Sequence, residues 1–256
     1  MDDADQVAAS PIPDIARLTL ADLRAALVAG WRDFRTAPAF GIFFAAVYVG
    51  IGLALVSFGA GTLAWTLVIS LAFPLFAPFA GVGLYEVSRR IESGAAMDWY
   101  QILGVVAAER DRQIPWMGAI IVIYVLFWSF IAHMLFAMFM GISNLTNISS
   151  SYEAFFTPTG MTMIAVELAV GAVLSFVLYA LTVTSLPHLL DREVDFVTAM
   201  IISIDVVRQN FLVMLVWAVL IAGLTIVAMV PMFLGLFVAL PVFGHATWHL
   251  YRRALV

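Results

Sequence analysis

The chain has 256 residues, of which 64% are hydrophobic and only 11% carry a charge. An ordinary soluble domain carries about a quarter charged residues, so this composition excludes a soluble fold and predicts an all-α, polytopic membrane protein. The net charge of −5 indicates little about partners, because the charges sit in a few short segments. The lack of cysteine in the sequence excludes disulfides, thiolate metal sites and cysteine nucleophiles.

The first residues are acidic and lack the basic region and short apolar core of a cleavable signal peptide. We therefore expect the first transmembrane helix itself to direct insertion. Residues 1–18 are expected to form an acidic, flexible tail, and residues 19–256 a single membrane domain.

Three blocks of low charge follow, and each is long enough for two spans at about 20 residues per crossing. The first block has no charged residue from Thr36 to Tyr85, with the turn-like sequence SFGAGT near its middle. A polar loop at 141–160 divides the second block, and the stretch from Met229 to Pro231 divides the third. The sequence therefore predicts six transmembrane helices. Four of them are placed at 114–138, 161–185, 211–229 and 232–251.

The basic residues of the sequence are all arginine, a bias that points to a GC-rich bacterial genome. In a six-span arrangement all of them fall on one side of the membrane. Cytoplasmic loops are enriched in basic residues, so we expect both termini in the cytoplasm and the chain in a bacterial inner membrane. The arginines are Arg17, Arg24, Arg32, Arg35, Arg89, Arg90, Arg110, Arg112, Arg192, Arg208, Arg252 and Arg253.

A short amphipathic segment precedes each predicted hairpin on the arginine side. Thr19 and Asp22 form a capping-box pattern at the start of the first segment, and the others begin at Asp98 and Asp195. This pattern predicts three repeated units of amphipathic helix plus hairpin, with the helices lying flat at the headgroup boundary. The alternative is that any six-span protein divides into three hairpins. The predicted units are 19–92, 93–193 and 194–256.

Glu167 is the one acidic residue that the predicted spans place well inside the bilayer. An ionisable group at that depth costs several kcal/mol unless it is paired or hydrated. Glu167 is therefore a candidate for proton or cation transport, together with His133 of the third span. The alternative is a hydrogen-bonded carboxyl that stabilises helix packing only.

Three histidines are candidates for a metal or haem site. His245 and His249 lie one helical turn apart, which places two imidazoles on one helix face. His188 is the third candidate ligand, with Glu86 and Asp191 at a similar depth. The alternative is that these histidines make ordinary interfacial hydrogen bonds, and no cofactor is assigned from the sequence.

Guanidinium groups stand beside carboxylates at several helix ends, where such mixed groups can hold a lipid phosphate. The alternative is a solvated helix end that fixes the position of the membrane interface. The candidates for headgroup binding are Arg89, Arg90, Arg252 and Arg253.

Several stretches of the sequence resemble a bacterial family of integral membrane proteins known as domain-of-unknown-function family 2189. They are LTLADLRAALVAGWRDF with APAFGIFFAAVY, FAPFAGVGLYEVSRRIESG, SLPHLLDREVDFVTAM and LPVFGHATWHLYRR. The resemblance implies six spans and a bacterial inner membrane. It implies no activity and transfers no catalytic residue.

The sequence contains no Gly-rich phosphate loop, nucleophile elbow, zincin helix or basic nucleic-acid patch. No catalytic residue is assigned, and enzymatic activity stays open. The leading hypothesis is a non-enzymatic scaffold or accessory component of a membrane complex. Its partners would be the lipid bilayer and a membrane protein or a second copy of the chain, and not nucleic acid. The alternatives are a small-solute or ion transporter or channel, and a histidine-ligated haem or metal protein.

Overall fold

The computed structural model describes residues 13–57, 63–141 and 155–256, and of residues 55–56 and 63–77 only the backbone. This part of the chain is all-α, as predicted, and has no strand beyond one isolated bridge. A short 3₁₀ turn, Glu109–Asp111, follows the fourth helix. The helices are α1 (Leu20–Thr36), α2 (Pro38–Ser57), α3 (Leu63–Ser93), α4 (Trp99–Ala108), α5 (Ile114–Met140), α6 (Pro158–Thr182), α7 (Ser185–Asp191), α8 (Phe196–Gln209), α9 (Phe211–Met229) and α10 (Leu236–Ala254).

The three short amphipathic helices α1, α4 and α8 begin where their capping residues predict. Thr19 and Asp22 form the capping box. The backbone N–H of Thr19 donates to Asp22 Oδ2 at 2.9 Å, and the Thr19 hydroxyl oxygen accepts a hydrogen bond from the backbone N–H of Asp22. Asp98 and Asp195 accept the backbone N–H groups of the third helical residue in α4 and α8, at 2.8 and 2.9 Å. Each cap satisfies a donor that the helix itself leaves free.

Three of the described helical segments are long and apolar enough to cross a membrane, and they coincide with the predicted third, fourth and fifth spans. A fourth candidate is α1 with α2, which are bent by 102° at the break after Thr36. The prediction of six spans is therefore supported only in part. Most of the predicted sixth span lies in α10, where His245, His249 and two arginines lower the hydropathy of the last three turns. The three segments are Ile114–Met140, Pro158–Asp191 and Phe211–Met229.

Two of the predicted interruptions fall largely outside the described residues. These are the turn SFGAGT, beyond Ser57, and most of the loop at 141–160. The third interruption is confirmed, because α9 ends at Met229 and α10 begins at Leu236. Met232 and Phe233 between them have positive φ angles of 52° and 64°, a region that L-residues seldom occupy.

α10 lies at the centre of the described helices and packs against α1, α2, α3, α7 and α9. Trp248 and Leu250 on α10 are almost completely buried. α1 comes close to α10 at Gly30, where an added Cβ would lie 2.5 Å from the backbone nitrogen of Ala246. The absence of a side chain at Gly30 therefore lets α1 lie directly on α10.

The two ends of the described chain lie together. Ile15 and Leu255 form an antiparallel bridge, and the backbone N–H of Leu18 donates to Asn210 Oδ1 at 2.7 Å. Residues 13–18 of the expected tail thus contact the C-terminus and the start of α9. Residues 1–12 fall outside the described part of the chain.

Candidate functional site

Polar side chains from α1, α3 and α7 converge on the C-terminal half of α10. We call this set the α10 polar cluster. Most of its members are almost completely buried, although each carries a polar or ionisable group. Buried groups of this kind need hydrogen-bond partners. The cluster consists of Asp33, Ser88, His188, Asp191, His245, His249 and Tyr251.

Asp33 of α1 and His249 of α10 form the first contact in the cluster. Nε2 of His249 lies 2.6 Å from Oδ2 of Asp33, whose side chain is fully buried. An ionised carboxylate only accepts hydrogen bonds, so in that state Nε2 is the protonated nitrogen of the ring. The second carboxylate oxygen, Oδ1 of Asp33, is buried and has no hydrogen-bond partner among the described residues.

Ser88 of α3 and His245 of α10 form the second contact. Oγ of Ser88 lies 2.8 Å from Nδ1 of His245, and both side chains are fully buried. Nε2 of His245 is buried and finds no hydrogen-bond partner in the part of the chain that the structure describes, and Asp33 is near enough to act on this ring electrostatically. A serine, a histidine and an aspartate are also the residue types of a hydrolase triad. Here, however, all three are shielded from solvent, and the arrangement presents no accessible nucleophile.

The third contact links α7 to α10 at the rim of the cluster. The Tyr251 hydroxyl donates to Asp191 Oδ2 at 2.8 Å, and Nδ1 of His188 lies 3.2 Å from the same hydroxyl. Arg252 completes the network with an Nη1 to Asp191 distance of 3.3 Å. These groups line a polar cavity of about 200 Å³ that is also bordered by Arg192. The cavity opens beside the paired chain ends.

The three candidate metal ligands have three different partners in this arrangement. His188 contacts Tyr251, His245 contacts Ser88, and His249 contacts Asp33, as described above. Within residues 13–57, 63–141 and 155–256, no group of three or more His, Cys, Asp or Glu side chains is placed to hold a metal ion. A histidine-ligated metal or haem therefore remains a prediction from spacing alone.

The arginines proposed for lipid headgroups are each paired with carboxylates. Arg89 and Arg90 both contact the buried carboxylate of Glu86, at 2.6 and 2.7 Å. Arg252 lies 3.3 Å from Asp191 and 3.4 Å from Glu92, and Arg253 lies 3.3 Å from Asp22. Much of the charge of these four arginines is therefore balanced within the protein.

Three arginines of α1 that are not among these headgroup candidates, Arg24, Arg32 and Arg35, have no such partner within the described residues. In the described structure, neither Arg24 nor Arg32 of α1 has an ion pair or a hydrogen bond from its guanidinium group. Together with Arg253 they line a shallow groove of about 420 Å³ on the exposed side of α1. The nearest acidic residue in the sequence is Asp22, two positions away and on a different side of α1, where it caps the helix and contacts Arg253.

Glu167 lies on α6 and is half-buried, away from the α10 polar cluster. His133 of α5 is near enough to interact with it electrostatically. Nδ1 of His133 is itself 2.6 Å from the backbone carbonyl oxygen of Ser129. The structure thus places these two transport candidates on neighbouring helices.

A buried carboxylate that the sequence reasoning missed is Glu109, in the 3₁₀ turn after α4. Its side chain is only 3% exposed, and burial raises the pKa of Glu109, an effect that Arg112 at 2.7 Å partly offsets. Arg112 also contacts Glu193, which precedes α8. The spacing of Glu109 and Arg112, one helical turn apart, is the sequence signal that indicates the first of these pairs.

Comparison with known proteins identifies the family of the chain. No curated protein and no solved structure matches it. The family model described as predicted integral membrane protein, DUF2189, matches residues 64–191. This region contains FAPFAGVGLYEVSRRIESG and the beginning of SLPHLLDREVDFVTAM, whereas the first and last stretches quoted above lie outside it. Because the match covers half of the sequence, the chain belongs to the DUF2189 family of integral membrane proteins.

Proposed function

We propose that this protein is a non-enzymatic scaffold or accessory component of a larger complex in a bacterial inner membrane. The observation that carries the proposal is the exposure of its apolar helices together with the half-buried carboxyl of Glu167 on one of them. Within their most apolar stretches, only 6% of residues are buried in α5, none in the α6–α7 segment and 11% in α9. The polar groups around α10, in contrast, are largely closed to solvent. The described part of the molecule thus offers broad apolar surfaces to other membrane components.

Glu167 distinguishes a protein-binding surface from one that faces lipid alone. Apolar side chains are as well accommodated by lipid tails as by protein, so their exposure does not by itself require a partner. The half-buried carboxyl of Glu167 on α6 does require a partner, because a polar group without partners in hydrocarbon is costly. A helix from a second copy or from another membrane protein would supply a hydrogen-bond donor to Glu167 and cover α5 and α6.

The proposed topology has six spans with both termini in the cytoplasm, organised as the three units predicted from the sequence. Two longer helices follow each of α1, α4 and α8 in the chain. Ion pairs also join segments that the six-span arrangement places on one side. Two segments on the same side of a membrane are separated by an even number of crossings. Contacts between such segments are therefore consistent with two-span hairpins between them. The pairs are Asp22 with Arg253, Glu92 and Asp191 with Arg252, and Arg112 with Glu193.

The test is the mass of the purified assembly. The tagged full-length protein is extracted from its native membrane in mild detergent, and the mass of the particle is measured by native mass spectrometry. We expect a stoichiometric complex, either with a second copy or with another membrane protein. Glu167→Leu, which removes the acceptor oxygens at nearly constant volume, should weaken it by about 3- to 30-fold, because intramembrane hydrogen bonds contribute about 0.6–2 kcal/mol.

The matched control is Asp111→Asn, which removes a carboxylate charge from an exposed side chain outside the apolar helices. This variant should leave the assembly intact. If the wild-type protein is found only as a single chain, the scaffold proposal is wrong. If both variants weaken the complex equally, the loss reflects net charge and not a contact at Glu167.

The second candidate function is transport of a proton or small cation, favoured by the proximity of His133 to Glu167. Two ionisable groups on adjacent spans can pass a charge through a region that is otherwise apolar. Purified protein in vesicles, with an internal pH-sensitive dye, measures this directly. Flux that is abolished in both Glu167→Gln and His133→Ala would favour transport. Flux equal to that of empty vesicles would exclude proton movement.

A further inference from the structure

The exposed side of α1 carries a groove with an unusual excess of positive charge. Its wall is formed by Arg24, Arg32 and Arg253, and its floor by small or branched apolar side chains of α1 that include Ala25 and Val28. The groove measures about 420 Å³. This size and lining fit a small charged group attached to an apolar body.

Two of the three positive charges in this groove are not balanced by the described part of the protein. Arg24 and Arg32 have no ion pair or hydrogen bond to their guanidinium groups within the described residues. Arg253 shares one carboxylate, Asp22, at 3.3 Å, and its side chain is 44% exposed. The groove therefore has three guanidinium groups and one neighbouring carboxylate, that of Asp22, which already caps α1. A guanidinium group provides five donors in a planar fork that suits phosphate oxygens.

The orientation of α1 places this groove at the membrane surface. The 102° bend between α1 and α2 makes α1 run roughly parallel to the bilayer when α2 crosses it. Leu20, Val28 and Trp31 are 62%, 63% and 46% exposed on the same side of α1 as Arg24. A helix that exposes both apolar and arginine side chains along one face is typical of the headgroup boundary, where arginine extends its charge toward the phosphates.

We propose that the groove formed by Arg24, Arg32 and Arg253 binds the phosphate of an anionic phospholipid headgroup in the leaflet on the arginine side. Arg24 and Arg32 donate hydrogen bonds to the phosphate oxygens. The apolar floor at Ala25 and Val28 contacts the glycerol and the first part of the acyl chains. This binding site is independent of whether the protein is a scaffold or a transporter.

The test is a titration of the purified, delipidated full-length protein with phosphatidylglycerol, followed by native mass spectrometry of the bound copies. The double variant R24Q/R32Q should bind about 30-fold more weakly, because each basic residue near an anionic lipid contributes about five-fold. The matched control is R110Q/R208Q. It removes the same charge at exposed arginines that are already paired, with Asp111 and Asp205, and should change binding by less than about two-fold. The melting temperature of R24Q/R32Q should equal that of wild type, since neither guanidinium group has a partner to lose.

Three results would overturn the proposal. The first is equal phosphatidylglycerol binding by R24Q/R32Q and wild type. The second is equally tight binding of phosphatidylcholine, whose headgroup has no net charge. The third is displacement of the lipid by millimolar inorganic phosphate, which would make the groove a site for free anions.

Discussion

Replacing Gly30 by alanine tests the contact that holds α1 against α10. The new Cβ would lie 2.5 Å from the backbone nitrogen of Ala246 and 2.6 Å from the carbonyl oxygen of Val242. Both atoms belong to the helical backbone and cannot turn aside as the end of a side chain can. We therefore expect α1 to move away from α10 by about 1 Å, the difference between these distances and an ordinary van der Waals contact.

The cost follows from the side chains that share this contact. Leu23, Ala26 and Phe34 of α1 are all at most 9% exposed, and each loses packing when the helices separate. Overpacking of this kind costs about 1–3 kcal/mol. For a chain of this length that corresponds to a fall in melting temperature of about 2–12 °C.

The assay is thermal unfolding of the purified protein in detergent, followed by tryptophan fluorescence. Gly104→Ala is the matched control, since it makes the same substitution within α4 where, among the described residues, no atom beyond the adjoining turns of α4 lies within 4 Å of the added Cβ. Alanine is the better helix former by about 0.5–1 kcal/mol, so the control should melt at the same temperature or slightly higher. A Gly30→Ala protein that is as stable as Gly104→Ala would refute the close approach of α1 and α10.

Two further predictions concern polar groups on α1, α8 and α10. Asp33→Ala and His249→Ala should each lower the free energy of unfolding by about 3–5 kcal/mol, the cost of breaking a buried pair. The double variant should cost less than the sum of the two, and full additivity would show that the 2.6 Å contact does not form. Asp195→Ala should cost about 1 kcal/mol at neutral pH relative to the wild-type protein, because the cap of α8 and its negative charge are lost. Hydrogen bonding by Thr198 holds the pKa of Asp195 below its usual value, so the carboxylate stabilises the fold above its unfolded pKa. That stabilisation is lost as the pH falls through the lowered folded pKa, and unfolding curves from neutral to acidic pH should show the difference between the wild-type protein and Asp195→Ala shrinking. A difference that grows toward acidic pH would contradict the sign.

The features that the sequence predicted correctly are those that depend on neighbouring residues. Thr19, Asp98 and Asp195 cap helices because each side chain reaches only as far as the next turn. The break after Met229 and the apolar segments at α5, α6 and α9 follow from local composition. The family assignment also rests on sequence alone. These features can be predicted without knowledge of how the helices pack, because the groups that produce them are adjacent in the chain.

The contacts of the candidate sites depend on packing that no local window contains. The spacing of His245 and His249 made them candidate metal ligands on one helix face. In the structure, His245 contacts Ser88, 157 positions away, and His249 contacts Asp33, 216 positions away. Both pairings arise because α10 is placed between α1 and α3. The contact of Asp22 with Arg253 is likewise a tertiary result, since 231 positions separate the two residues in the chain. The sequence by itself determined that this chain is a helical membrane protein, because hydrophobicity and capping act over a few residues. Only the tertiary structure decided which charges are paired, because ion pairs and buried hydrogen bonds form between helices that are distant in the chain.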